Sequence, residues 1–259
     1  MSRLFRFELR KLFRKPSFYI CLAVLAGLTF LSIYSTYALS KLFLNEAGIE
    51  LAPSALAGLG GVTAADQLRR ALGSSNVTLI LGIFTALFIC SDYMEGTAKN
   101  IIGRGYTRSA WLTAKLGTVL IAAAVFAVVC LAVTFAASVS FFGTGDIKKA
   151  GLFPAIPLQL LLILAHAALF TLFSLLIRKN GGAIAMNLLV PSVVSLIVTL
   201  LDVLVFEEES KLAEYWLPNV LSEASQAGTS DPLNWLAVGL AYLAGCSALS
   251  YLLTSRQDI

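Results

Sequence analysis

The residues able to do chemistry in this chain of 259 are few and scattered. Its single histidine, His166, stands in an apolar run, away from any cluster of acids or cysteines. Cys21, Cys90, Cys130 and Cys246 also fall inside apolar runs and form no C-x-x-C pair. They read as small buried or lipid-facing hydrophobes, and no metal site is expected. No G-x-x-x-x-G-K-[ST] phosphate loop occurs, and the glycine patch at Gly58, Gly60 and Gly61 lacks its lysine. The acidic run Glu207–Glu209 has no partner histidine for hydrolysis. With no nucleophile–base arrangement and no cofactor motif, the chain is not expected to be an enzyme. What remains is a stretch suited to contact. Between Asp92 and Arg108 the chain sets Glu95, Lys99, Arg104 and Arg108 among Gly96, Gly103 and Gly105, and Lys115 follows.

The elements that carry this stretch follow from composition. The chain is 58% hydrophobic and 13% charged, with mean hydropathy +0.83. A soluble domain of this size cannot hide so much apolar surface in one core. Repeated apolar runs of helix-spanning length, without alternating ten-residue segments, predict an all-α integral membrane protein rather than a barrel. Six transmembrane helices are expected at about 17–39, 75–92, 110–142, 155–177, 183–206 and 233–253. The second is short and is expected to begin earlier, near Leu72. Residues 1–16 read as an amphipathic in-plane helix, with Leu4, Phe5, Leu9, Leu12 and Phe13 on one face and Arg3, Arg6, Arg10 and Arg14 on the other. Pro16 separates it from the first span. No small-residue cleavage site follows cleanly, so a cleaved signal peptide is not expected.

With the N-terminus inside, thirteen of the nineteen Lys and Arg fall on the cytoplasmic side. Both termini are therefore expected in the cytoplasm, with residues 93–109 between them on the same side. The net charge of +4 is read as orientation in the membrane, not as a nucleic-acid surface. Two longer outer segments follow, 41–74 with a short helix expected at Ala64–Leu72, and the acidic 207–232 with Tyr215, Trp216 and Leu217 before Pro218.

Polar residues inside the spans form stripes. Ser192, Ser195, Thr199 and Asp202 share a face of the fifth span, and Thr78, Gly82 and Thr85 share one of the second. Such stripes either bond helices together or line a water-accessible path. Gln159, His166 and Ser174 share a face of the fourth span, and Pro191 is expected to bend the fifth. Small-residue faces at Ala237, Ala241 and Gly245, and at Ala124, Val128, Ala132 and Ala136, suit close helix packing.

Within the contact stretch, Gly96 is placed to end the second span and Thr97 to cap a short helix, Ala98–Ile102. Gly103 and Gly105 allow left-handed backbone. Thr107 caps the third span, and Glu95 and Lys99 are spaced for an i,i+4 pair. Arg108 stands at the helix end whose dipole disfavours a cation. The segment Glu95-Gly-Thr-Ala-Lys99, with Gly105-Tyr-Thr-Arg108 and Lys115, resembles the loop between the second and third spans of type-2 ABC exporter permeases. The flavour is that of bacitracin and lantibiotic export or immunity permeases, and the layout of the whole chain is similar. Asp92 stands where such permeases often carry glutamate.

The resemblance implies a bacterial plasma-membrane permease subunit with six spans in residues 17–259 and an elbow helix in 1–16. A second permease chain, identical or paralogous, would pair with it, and a separate ATPase subunit would bind ATP and Mg. Glu95, Gly96, Thr97, Lys99, Arg104, Gly105 and Arg108 would form the ATPase-coupling loop. The second and fifth spans would line the path, with Thr78, Thr85, Ser192, Ser195, Thr199 and Asp202 as candidates. The implied function is export of a hydrophobic or amphipathic substrate such as a peptide, antibiotic or lipid-like molecule. The alternative is a membrane-embedded immunity protein that binds an antimicrobial peptide without transporting it.

Overall fold

A computed structural model describes residues 2–46, 63–143, 152–205, 212–226 and 232–256. The patch Gly58–Gly61, the run Glu207–Glu209 and the pair Lys148 and Lys149 lie outside the described residues. Those described are helical throughout, with no strand among them. Helix α1 (Ser2–Arg14) is followed by α2 (Pro16–Glu46), and the two are divided at Lys15 because Pro16, having no amide to donate, opens the next helix. A short α3 (Ala64–Ala71) and the long α4 (Ser75–Met94) come next. Then follow α5 (Thr97–Gly103), α6 (Arg108–Phe142), α7 (Leu152–Ile177) and α8 (Asn180–Val205). A 3-10 turn (Ala213–Tyr215), α9 (Leu217–Ala224) and α10 (Pro232–Arg256) complete the order. Six stretches, starting at Pro16, Ala64, Arg108, Ala155, Asn180 and Pro232, are long and apolar enough to cross a membrane.

The second membrane-crossing stretch, Ala64–Met94, is two helices and not one. A turn at Leu72–Ser74 separates α3 from α4. Gly73 makes that turn possible: a Cβ there would stand 2.2 Å from the Cβ of Ser225, so the end of α9 seats directly on it. Helix α3 opens with a capping box, in which Asp66 N–H donates to Thr63 Oγ1 and Thr63 N–H donates to Asp66 Oδ2, both at 3.1 Å. Helices α7 and α8 are joined through Arg178 and Lys179 alone, with Arg178 in left-handed backbone at φ 57°.

The interior is built by α4, α6 and α7. Phe18 of α2 stacks on Phe126 of α6 at 5.5 Å, and Phe84 of α4 meets Phe126 edge-on at 5.2 Å. Helix α10 packs along α7, where Gly239 lets Leu161 approach to 3.1 Å from an added Cβ. The faces expected to pack through small residues turn outward instead. Ala237, Ala241 and Gly245 are exposed, as are Val128, Ala132 and Ala136. The buried faces carry Trp235, Val238 and Cys246 on α10 and, on α6, a different set of small residues, Ala122, Ala123 and Ala127, with Phe126 and Cys130. Helix α8 is the least covered: 11% of its most apolar stretch is buried, against 61% for α4 and α7. Pro191 sits inside α8, which continues through it.

The bundle has two distinct ends. At one, α3, the 3-10 turn and α9 lie across the start of α7. Gln159 Nε2 donates to the Arg69 carbonyl at 2.9 Å and to the Ala224 carbonyl at 2.7 Å. Both carbonyls belong to last turns that lack intrahelical partners, so one amide caps two helices. At the other end lie α1, α5, the α7–α8 turn and the C-terminal end of α10. Arg108 reaches from the start of α6 to the Ser255 carbonyl, a long contact of 3.5 Å.

Candidate functional site

The contact stretch folds as a short helix between two glycine turns. Gly96 ends α4 in left-handed backbone at φ 67°, and the same residue is the N-cap of α5. Thr97 is therefore the first helical residue rather than the cap, and its side chain makes no capping bond. Gly103 closes α5 in helical backbone, and Gly105 alone supplies the second left-handed position, at φ 88°. Thr107 caps α6, its hydroxyl accepting from Ala110 N–H at 3.2 Å. Ala98 and Ile101 turn inward, while Lys99, Asn100, Arg104 and Gly105 stay exposed. Among the described residues Glu95 does not pair with Lys99; its carboxylate lies 4.0 Å from Lys15.

A buried charge cluster ties α1 to the last turn of α4 and to Lys115 near the start of α6, the two helices that α5 joins. Glu8, Asp92 and Lys115 are fully buried. Lys115 Nζ donates to Glu8 Oε2 at 3.0 Å and forms an ion pair with Asp92 Oδ2 at 2.5 Å. Lys11 donates to Asp92 Oδ1. Lys15 Nζ donates to Ser91 Oγ at 2.5 Å. Lys115 also sits over the Phe88 ring, 3.8 Å from its centroid, in cation–π contact. Two acids and two lysines balance within this dry pocket, as buried charges require. At its edge Lys15 has a pKa below the ordinary lysine value, chiefly from burial and then from Lys11, with Glu95 and Asp92 acting the other way.

Glu8 is the residue the sequence reading missed. It lies between Leu4 and Leu12 at i,i+4 spacing, an acid in the middle of the apolar stripe of a basic helix. Phe13, expected on that stripe, is 42% exposed. Helix α1 closes on α6 at Gly117, where Phe5 would lie 3.0 Å from an added Cβ. Arg108, placed among the coupling residues, extends to the last turn of α10, where a cation is favourable and offsets its position at the start of α6.

The pathway candidates divide. Thr78, Ser192 and Ser195 line a cavity of about 570 Å³ together with His166 and Asn187. Thr85 is fully buried outside that cavity, its hydroxyl unpartnered among the described residues. Asp202 accepts from the amides of Leu212 and Ala213 at 3.0 and 2.8 Å and so anchors the 3-10 turn. Ser195 Oγ accepts from Trp216 Nε1 at 2.8 Å. Thr199 lines a smaller cleft with Glu214 and Glu223. Part of the fifth-span stripe thus holds the segment 212–216 in place. Asn187, not singled out in the sequence, donates to the Gly82 carbonyl at 2.9 Å, which explains glycine there: an added Cβ would lie 3.3 Å from Asn187 Cβ. Among the described residues no three His, Cys, Asp or Glu side chains cluster as a metal site would require.

The fold defines a multi-pass helical membrane protein with a short helix, α5, that exposes Lys99 at one end. Residues 19–259 match the family described as protein of unknown function DUF2705, and the chain belongs to that family. A comparison with curated proteins returns no match.

Proposed function

We propose that the chain is the permease subunit of an ATP-driven ABC exporter in the bacterial plasma membrane. It moves a hydrophobic or amphipathic substrate outward while a separate subunit hydrolyses ATP. The observation that carries this reading is α5, a short helix held between left-handed glycines with Lys99 and Arg104 exposed; it joins α4 and α6, whose adjoining ends are tied to each other and to α1 by buried charge. A push on a short helix between two long helices so tied passes to both. On this reading α1 lies in the cytoplasmic interface, both termini are cytoplasmic, and α5 docks on the ATPase. A second permease chain pairs along the poorly covered α8. ATP and Mg are bound by the partner, not by this chain.

The test is purification of the intact chain from its host membranes under mild detergent. The reading predicts a co-purifying nucleotide-binding subunit that charge reversal at Lys99 and Arg104 releases. A stable particle lacking any nucleotide-binding chain, with unchanged composition in the variant, contradicts it.

A further inference from the structure

The cavity bounded by α4, α7, α8 and α9 lies away from the charge cluster, at the half of the bundle beside the α9 end. Its volume of about 570 Å³ falls within the ~300–1,000 Å³ of small-molecule sites. Leu79 and Leu189, 40% and 62% exposed, border it, so it opens on the apolar flank of the bundle. His166 and Asn187, each 1% exposed, form its floor.

Four of the polar groups around it, on His166, Asn187, Thr78 and Ser192, offer only acceptors, while Ser75, Ser195 and Ser222 keep hydroxyls that can donate or accept. His166 Nδ1 lies 2.9 Å from the Leu162 carbonyl, which only accepts. Nδ1 therefore carries the proton, and Nε2 of the neutral ring is an acceptor with no partner among the described residues. Asn187 Nδ2 donates to Gly82 and, at 3.3 Å, to Ser174 Oγ, which leaves Oδ1 as a second unpartnered acceptor. The Thr78 and Ser192 hydroxyls give their protons to the Ser75 and Leu188 carbonyls, at 3.0 and 2.9 Å, and keep only lone pairs for a ligand. Among the described residues no Asp, Glu, Lys or Arg lines the cavity, so a charged head group would be desolvated there without a counter-charge from them.

We infer that this cavity binds a neutral amphiphile whose head group donates hydrogen bonds through hydroxyls or an amide, with its chain leaving between Leu79 and Leu189. As a binding site it is independent of ATP-driven export; as a substrate class it rests on that reading. The test uses the purified full chain in nanodiscs with a diazirine-bearing monoacylglycerol. Saturable labelling is expected on the α4 and α8 segments around Leu79 and Leu189. Unlabelled monoacylglycerol competes, and its phosphorylated, anionic analogue competes about tenfold less well, the scale of one lost hydrogen bond. His166→Phe weakens binding about tenfold, and Leu188→Trp, which fills the space, abolishes it. Ser192→Val, an exposed change that leaves the helix contacts alone, gives a smaller loss and serves if either of the others fails to fold. Non-saturable label over all exposed helix faces, equal competition by the anionic analogue, or unchanged binding in the variants overturns the inference. Because no ATPase is present, failure here leaves the coupling proposal standing, and loss of ATPase association leaves the site standing.

Discussion

Lys115 holds together three helices by serving two acids at once, Glu8 at 3.0 Å and Asp92 at 2.5 Å. Removing one member of a buried, charge-balanced set leaves an unpaired charge and costs about 3–5 kcal/mol, whereas removing a matched pair is far cheaper. Lys115→Met alone should therefore destabilise the detergent-solubilised protein by about 3 kcal/mol or more. Asp92→Asn with Lys115→Met should cost less than the sum of the single changes, by about 1–3 kcal/mol of coupling. Thermal unfolding of the four proteins closes the cycle, and simple additivity would mean that the two charges do not support each other. The cluster was partly legible in the sequence. Asp92 and Lys115 stood out at span ends, but their partner did not, because an acid in a helix with five bases reads as surface charge until its face is checked against Leu4 and Leu12. Asn187 was hidden for a related reason: one amide in an apolar run has no periodic neighbours, and only the close approach at Gly82 reveals its use.

At the level of elements, two glycines and one glutamine carry most of the risk. Gly96 at φ 67° meets no neighbour within 4 Å, so the penalty for a side chain there is conformational and not steric crowding. Gly96→Ala should cost about 1–2 kcal/mol and Gly96→Pro more, since proline is fixed near φ −65°. Loss is read as lowered melting temperature, with Gly103→Ala, in helical backbone, as the tolerated control. At the opposite end, Gln159→Leu strips the amide from two buried helix-end carbonyls, each worth about 1–3 kcal/mol. Limited proteolysis should then cut sooner near Gly73 and near Ser225, and cleavage unchanged from wild type would show that α3 and α9 are held by their apolar faces alone. Helix number and order were readable from apolar run length. The turn at Leu72–Ser74 was not, because Gly73 is required by Ser225, which is distant in sequence. The outward small-residue faces have a similar cause, since periodicity marks a stripe but not which neighbour it meets.

For the whole molecule, the two ends are chemically distinct: α1 and α5 expose basic residues at one, and α9 with the acidic Glu214 and Glu223 lies at the other. All four native cysteines are buried and free, so single introduced cysteines report orientation cleanly. A cysteine at Lys99 should react with an impermeant maleimide only in inverted vesicles, and one at Glu214 only in intact cells; labelling of both from one side would undo the topology. An uncovered α8 beside well-packed α4 and α7 leaves an apolar flank for lipid or, on the proposed function, a second chain to cover. The central claim, that α5 passes ATP-driven motion from a partner into this bundle, is tested most directly by purifying the chain with its nucleotide-binding partner. ATP hydrolysis and substrate export are then measured together after reconstitution in liposomes. The account predicts that wild type couples the two and that Gly96→Pro, while still inserted, leaves hydrolysis running without export. Export that continues unchanged in Gly96→Pro, or in the absence of ATP, would contradict it.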